Sequence, residues 1–595
     1  MNVRLSFLSV CTTLVAALAG CALQPPAQTT HATVFSHPSF AKGGWETRAA
    51  VLADASQISA LYLDADGNPV FQTREQLHSI PLPAEKGSWQ FLGLHKQSGT
   101  IFASWWTHQP RKSIYVSTST DGGKTFDKPS VANGSAAEPL YPFELLVPGH
   151  GTPPSVIYLD ERGGSYHVYI NHYDPTKASW AKTDEQLDVG PLTVNPSGVP
   201  ALGEFPAVFH SGSTYVVTWL SSIQTAIGKR YRLLARTSLD GGEHWKPATL
   251  VLESPHSVSP AAGAVVDGKL ALVVEVAQEG LIEAQASPHG DRWTTSKPLP
   301  QSELNTNSGI QIAVGHGAYA DRLFMVWSAR KMLGKAFILS AAIDVNKQQW
   351  LGEPIRLDLK TQTQTQSTFP YIASNAAGDV LAAWIDYRNI LPNIYVSGST
   401  DGGITWTSPQ NVQRNGMQEG MTPVLLGAAD HFVLAYQEAN PDKPTAHNLI
   451  VRKIAKQNNT SFGPFPLSTT YSAAEMRAKL LQRENEFWKY RLAAQPAKLW
   501  GYYDPSYRAF VPEKPFVNME QDFKYFDYKI KSVSIDGNIA ETSVETTFEI
   551  PGVRVFGHLI KQARRTGPLR ETWLWIGDNW YQEFKNPITG PYIQY

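Results

Sequence analysis

Cysteine is nearly absent: the 595 residues contain two, Cys11 and Cys21, both close to the N-terminus. A chain without further cysteines builds no disulfide framework and no thiolate-ligated metal site. Charge is scarce and balanced, with 51 Lys and Arg against 52 Asp and Glu and only 17% of residues charged. No basic stripe appears, which excludes nucleic acid as a partner. Long apolar runs are missing after the first twenty residues, so no later segment has the length of a membrane-spanning helix. The histidines show no metal-ligand grouping, and His167 and His172 fall on opposite faces of one strand by their odd spacing. No cofactor or metal is expected. What abounds is the material of short strands and tight turns: 45 Gly, 41 Pro and 11% aromatic residues.

The N-terminus has the grammar of a secretory signal over residues 1–20. Met1 to Arg4 is weakly positive, Leu5 to Leu18 is almost wholly apolar, and small residues follow. The run is too short to remain as a span. Leu18-Ala19-Gly20-Cys21 resembles the lipobox of bacterial lipoproteins. The resemblance implies cleavage before Cys21 and its lipidation by palmitate-type chains, which makes the membrane a partner. Each buried methylene contributes roughly 0.8 kcal/mol, so several chains anchor durably. Ala22, where Asp signals inner-membrane retention, implies the outer membrane of a Gram-negative envelope. Residues 21–44 are then expected to form a lipidated, flexible tether, since Gln24 to Thr33 is polar and aperiodic.

Residues 45–467 repeat themselves. Ser119-Thr120-Asp121-Gly122-Gly123-Lys124-Thr125-Phe126 is echoed by Ser238-Leu239-Asp240-Gly241-Gly242-Glu243-His244-Trp245 and Ser399-Thr400-Asp401-Gly402-Gly403-Ile404-Thr405-Trp406. An Asp side chain that bonds its own downstream amides, with glycines at positive φ, makes a self-contained turn. These segments resemble the Asp-box of the sialidase-like superfamily, the bacterial neuraminidase repeat, and Asp121, Asp240 and Asp401 are read as structural. Phe126, Trp180, Trp245, Trp293, Trp350, Trp406 and Phe462 recur every 50 to 65 residues or so, close to a four-strand blade repeat. That gives seven modules. Arg48 to Pro83 is an eighth short blade or a donor of a closing strand. The expected fold is mainly β: a sialidase-like β-propeller of six to eight blades, seven or eight by module count. Tyr141-Pro142, Phe205-Pro206, Ser259-Pro260, Phe369-Pro370 and Thr422-Pro423 read as turn-to-strand steps opening the modules.

Composition shifts after Pro466. Ser472-Ala473-Ala474-Glu475 is a capping box, followed by an apolar helical face at Met476, Leu480, Leu481, Phe487, Trp488 and Leu492. Strand-like alternation then appears at Tyr525 to Ile535, Ala540 to Ile550 and Glu571 to Phe584, with a turn at Asp536-Gly537. Residues 470–595 resemble the SnoaL-like, nuclear-transport-factor-2-like cone, an α+β domain.

The sialidase resemblance places the Asp-boxes on the face away from the ligand and the loops after each second strand around a central funnel. Arg162, Arg330 and Arg388 occupy corresponding positions there, with Asp160 and Asp386 nearby. Trp105, Trp219, Trp327, Trp384 and Glu438 complete the expected binding rim. Three guanidinium forks suit a carboxylate, so one reading is an exo-acting glycosidase for sialic acid or a related acidic sugar. Arg162, Arg330 and Arg388 are then the clamp, and Asp160 or Asp386 the acid/base. Sialidases carry their first clamp arginine in a Phe/Tyr-Arg-x-Pro motif before the first blade; no such motif occurs here, and the nearest arginine, Arg48, lies in Glu46-Thr47-Arg48-Ala49. The favoured reading is a non-catalytic envelope scaffold that grips a glycan or an envelope protein.

Overall fold

The computed structural model describes residues 32–35, 50–53, 58–63, 69–73 and 77–79 and, from 89 to 591, all but short stretches, the longest being 190–207. The signal segment, Cys21, Arg48 and Phe205-Pro206 lie outside the described residues.

Eight antiparallel sheets follow one another, over 50–79, 89–131, 139–186, 208–254, 258–295, 306–356, 367–411 and 420–463. Strands within each pair in sequence order, as up-and-down meanders do. Where neighbouring sheets touch at the centre they do so mainly through their first strands, which are therefore innermost. This is a β-propeller fold.

Both faces of each sheet are buried, because every consecutive pair shares a core. Phe71 of the first sheet meets Trp105 of the second, Trp106 meets Tyr158 of the third, and Ile157 meets Trp219 of the fourth. Leu233 meets Trp293, Val273 meets Trp327, Phe324 meets Trp384 and Leu381 meets Phe432. The eighth sheet then packs on the first, Val433 and Val451 against Ala60 and Tyr62, so the ring closes. Closure leaves only short, protected sheet edges.

Within Arg48 to Pro83, the strands Ala50–Ala53, Ile58–Leu63, Pro69–Thr73 and Leu77–Ser79 form a sheet of their own. Closure is instead assisted by the strand Ala32–Phe35, which pairs with Lys443–Asn458 in the register Ala32↔Arg452 and Phe35↔Leu449. The segment expected as a tether, residues 21–44, thus contains a strand, because the last sheet offers an edge that a β-prone segment such as Ala32-Thr33-Val34-Phe35 fits.

The turn-to-strand steps sit elsewhere than the sequence predicts. Six first strands carry a bulge, between Gln90 and Gly93, Pro139 and Phe143, Pro260 and Ala262, Ser308 and Gln311, Thr368 and Tyr371, and Met421 and Val424. Pro142, Pro260, Pro370 and Pro423 lie inside the innermost strands, at or beside the bulges, where a missing N–H costs no ladder bond.

After the ring, the helix Ala473–Leu492 starts at a complete Ser472–Glu475 capping box. Helices Pro496–Trp500, Pro505–Phe510 and Glu513–Glu520 follow. A sheet of Lys524–Asp536, Ile539–Glu549, Arg565–Ile576 and Asn579–Gln582 closes over them, burying Phe487, Trp488, Trp573 and Trp580. Among the described residues no helix is long and apolar enough to cross a membrane.

Candidate functional site

The Asp-boxes fold mainly by local bonds, at the turn between the third and fourth strands of their sheets. Ser119 Oγ donates to Asp121 Oδ1 (2.8 Å) and accepts from Gly123 N, while Asp121 Oδ1 takes the amides of Lys124 and Thr125. The Thr125 amide and hydroxyl hold the Asp121 carboxylate well below its ordinary range. Asp240 and Asp401 repeat the pattern. Gly123 has φ +89° and lies so close to Phe71 that a Cβ would stand 2.2 Å from the ring, so the turn requires glycine there. The aromatic positions reach backwards: Trp180, Trp293 and Trp350 donate to Ser130, Thr249 and Lys297 of the preceding sheets. They stitch one sheet to the next. Among the described residues, Asp240, Glu243 and His244 bring three ligand-type atoms together. Asp240 is already engaged there by the His244 amide and ring, so the group is part of the turn.

On the opposite turns, two of the three expected arginines are held by acids of their own sheet. Arg162 Nε lies 2.9 Å from Asp160 Oδ2 and its Nη2 lies 2.8 Å from Asp184 Oδ2. Its guanidinium stacks 3.7 Å over the ring of Tyr169. Arg388 grips Asp386 with two bonds, Nε to Oδ1 (2.9 Å) and Nη2 to Oδ2 (2.7 Å), and stacks on Tyr395. Trp384 Nε1 and Ser367 Oγ complete the shell of Asp386. Burial opposes the charge on Arg388, but Asp386 outweighs it and raises the guanidinium above its ordinary value. Burial raises Asp160 despite the nearby Arg162. Tyr158↔Tyr169 and Trp384↔Tyr395 are in the same register, so the two clusters are copies of one motif.

Arg330 differs. It ends the second strand of its sheet in the open, with exposed Lys331 and Lys335 on the following loop. Burial and Arg330 together lower Lys335.

The expected aromatic rim is in the core. Trp105, Trp327 and Trp384 are 0% exposed and Trp219 5%, each wedged between sheets. A strand in a radial sheet has neighbours on both faces, so large aromatics at its end turn sideways into the next sheet. Glu438, half-buried, accepts from Gln413 Nε2 (3.0 Å), and burial raises its carboxyl.

Several groups escaped the sequence reading. Phe369 stands 48% exposed at a bulge, with φ +50°. Glu144, on the innermost strand Pro139–Leu146, has no ion-pair partner among the described residues, and burial pushes its carboxyl up to about 7. The recurring x-Pro step was the signal for Phe369; nothing local distinguished Glu144.

The C-terminal unit reaches this same face. Asn538 Nδ2 donates to the Arg388 carbonyl (2.6 Å) and to Asn389 Oδ1 (3.1 Å). Ile390 and Leu391 pack against Ile539, Leu574 and Ile576.

No family model and no curated protein matches the sequence. Solved structures match loosely. NanB sialidase from Streptococcus pneumoniae shows 11% identity and a TM-score of 0.30, over 68% of this chain and 84% of that one. Penicillium chrysogenum alpha-L-arabinanase shows 10% and 0.33, over 62% and 93%. A puromycin-hydrolyzing peptidase from Mycobacterium tuberculosis shows 10% and 0.38, over 67% and 59%. The fold assignment therefore rests on the sheets and their shared cores.

Proposed function

We propose that the chain is an envelope lipoprotein anchored through Cys21, whose eight sheets act as eight blades of a recognition platform for a glycan or an envelope protein. The C-terminal unit is read as SnoaL-like. The observation that carries the binding role is the fate of the Asp-x-Arg pairs. A carboxylate clamp needs open guanidinium forks, and an acid/base needs a carboxyl that meets substrate. Asp160 with Arg162, and Asp386 with Arg388, are instead each other's partners. Arg330, by contrast, ends its strand exposed to solvent, and loops carried on a scaffold suit recognition.

The alternative, an exo-acting glycosidase, is favoured by one group: Glu144, a carboxyl poised near neutrality on an innermost strand.

The chain starting at Ala22 is to be tested on a glycan array and against fluorogenic sialosides and uronides. Binding weakened by Arg330→Ala, with no turnover, is the expected result. Turnover abolished by Glu144→Gln would establish the glycosidase instead. Metabolic labelling with a palmitate analogue tests the anchor: full-length protein should be labelled and sediment with membranes, and Cys21→Ser should do neither.

A further inference from the structure

The chain joins the ring at its rim. Ala32–Phe35 is the outermost strand of the eighth sheet, on the far edge of that sheet's third strand, Lys443–Asn458. The two ends of this third strand face opposite sides of the ring. The Asn458 end belongs to the Asp-box side. Lys456 Nζ lies 3.6 Å from Asp379 Oδ1, in the turn between the first and second strands of the seventh sheet. Phe462, which pairs beside Lys456, packs on Gly398, next to the box serine Ser399, where a Cβ would collide with its ring. The Lys443 end pairs with Asn440 at the turn on the opposite side, the side of Arg388.

Ala32 is opposite Arg452, six residues from Asn458 and nine from Lys443. At about 3.3 Å per residue it stands roughly 20 Å from the box end and roughly 30 Å from the other. Ser461–Gly463 fills the rest of that edge on the box side, so the chain steps onto the ladder just beside it. Cys21 precedes Ala32 by eleven residues. Even fully extended, a chain of that length spans at most about 40 Å.

That reach discriminates between the two sides. The C-terminal unit stands on the side of Arg388, where Asn538 and Ile539 meet Arg388, Asn389 and Ile390. A folded unit of about 120 residues is roughly 35 Å across. A bilayer beyond it would lie about 60 Å from Ala32, out of reach of an anchor at Cys21. A bilayer on the box side lies about 20 Å away, well within reach. The turns on that side also suit a lipid surface. The box of the seventh sheet, beside the eighth, carries Ile404, 54% exposed, and the matching turn of the sixth sheet is followed by Leu351, 39% exposed. Apolar tips of this kind enter the headgroup region readily.

We infer that the Asp-box side is the membrane-facing surface of the molecule, with Ile404 and Leu351 resting on the bilayer that holds the Cys21 lipid. The inference rests on the anchor proposed above. It turns the opposite face, with Arg330 and the C-terminal unit, away from the lipid.

Once the segment before Cys21 is removed and Cys21 is acylated, the chain has no free thiol, so an introduced cysteine is a unique labelling site. Ile404→Cys and Lys124→Cys place it in box turns, and Glu161→Cys places it at an exposed position on the opposite side. Each full-length protein, produced in a Gram-negative host, is labelled with a maleimide fluorophore. It is then reconstituted into vesicles of phosphatidylethanolamine and phosphatidylglycerol that carry a nitroxide on the lipid headgroup. Quenching should be strongest at position 404, intermediate at 124 and several-fold weaker at 161. Lys124→Cys reports the same side should Ile404→Cys disturb its turn. Quenching at 161 equal to or above that at both box positions overturns the inference. Mass spectrometry of the same proteins separates the two readings. Acylated Cys21 with strong quenching at 161 refutes the orientation alone, whereas Cys21 without acyl chains refutes the anchor and the orientation with it.

Discussion

Asp386 is the last residue of its strand, and Arg388 lies two positions on, in the turn, where its amide and its guanidinium both donate back to that carboxylate. The carboxylate is 2% exposed and the guanidinium 14%. Removing the cation leaves a buried carboxylate unpaired, which costs about 3–5 kcal/mol. Arg388→Ala is therefore expected to lower the melting temperature by several degrees, whereas Arg330→Ala, at an exposed position, should leave it within about a degree in calorimetry. The Asp-x-Arg spacing was visible in the sequence and contained this pairing. Asp184, the second partner of Arg162, lies twenty-two residues further on, and only folding brings it there. The turns of Asp121, Asp240 and Asp401 were fully legible, because every bond that their carboxylates make stays within four residues.

At the scale of elements, the hairpin joining Lys524–Asp536 to Ile539–Glu549 clamps the loop after the second strand of the seventh sheet. Ile390 in that loop has φ +72°, a conformation strained for a β-branched residue. It is fully buried against Ile539 and Leu574, and that packing offsets the strain. Asn538→Ala removes two hydrogen bonds from the clamp. It should cost about 1–3 kcal/mol and, in differential scanning calorimetry, separate melting of the C-terminal unit from that of the ring. A single unshifted transition would show that the clamp does not couple them. The long helix was readable from its capping box and apolar face. The clamp was not, since its partners are 150 residues apart and polar Asn538 carries no mark of its destination. The bulges were half-legible: the prolines repeat, but a proline before a strand and one inside a bulge look alike until the partner strand is in place.

For the molecule as a whole, buried acids set how stability depends on pH. Glu283, between sheets, and Glu484, in the C-terminal unit, are both fully buried, and burial lifts each from the ordinary 4.5 to about 7. Between these values the folded state keeps a proton that the unfolded state releases, so folding is favoured at the acidic end and loses ground as pH rises. Each group contributes at most about 3 kcal/mol to that loss. Melting temperature should fall from pH 5 to pH 8, and Glu283→Gln with Glu484→Gln should flatten the slope and raise stability at pH 8. The amino-acid sequence by itself determined the repeat, the box turns, the strand-rich ring and the change of composition near residue 466. Those features depend on contacts within a few residues or on a period that can be counted. Tertiary structure decided which way the strand-end tryptophans turn, which acids hold Arg162 and Arg388, where the ring closes and where the C-terminal unit rests. Each of those depends on a neighbour distant in the chain, and in a ring of radial sheets both faces of a strand are interior, so alternation cannot say which side meets a ligand.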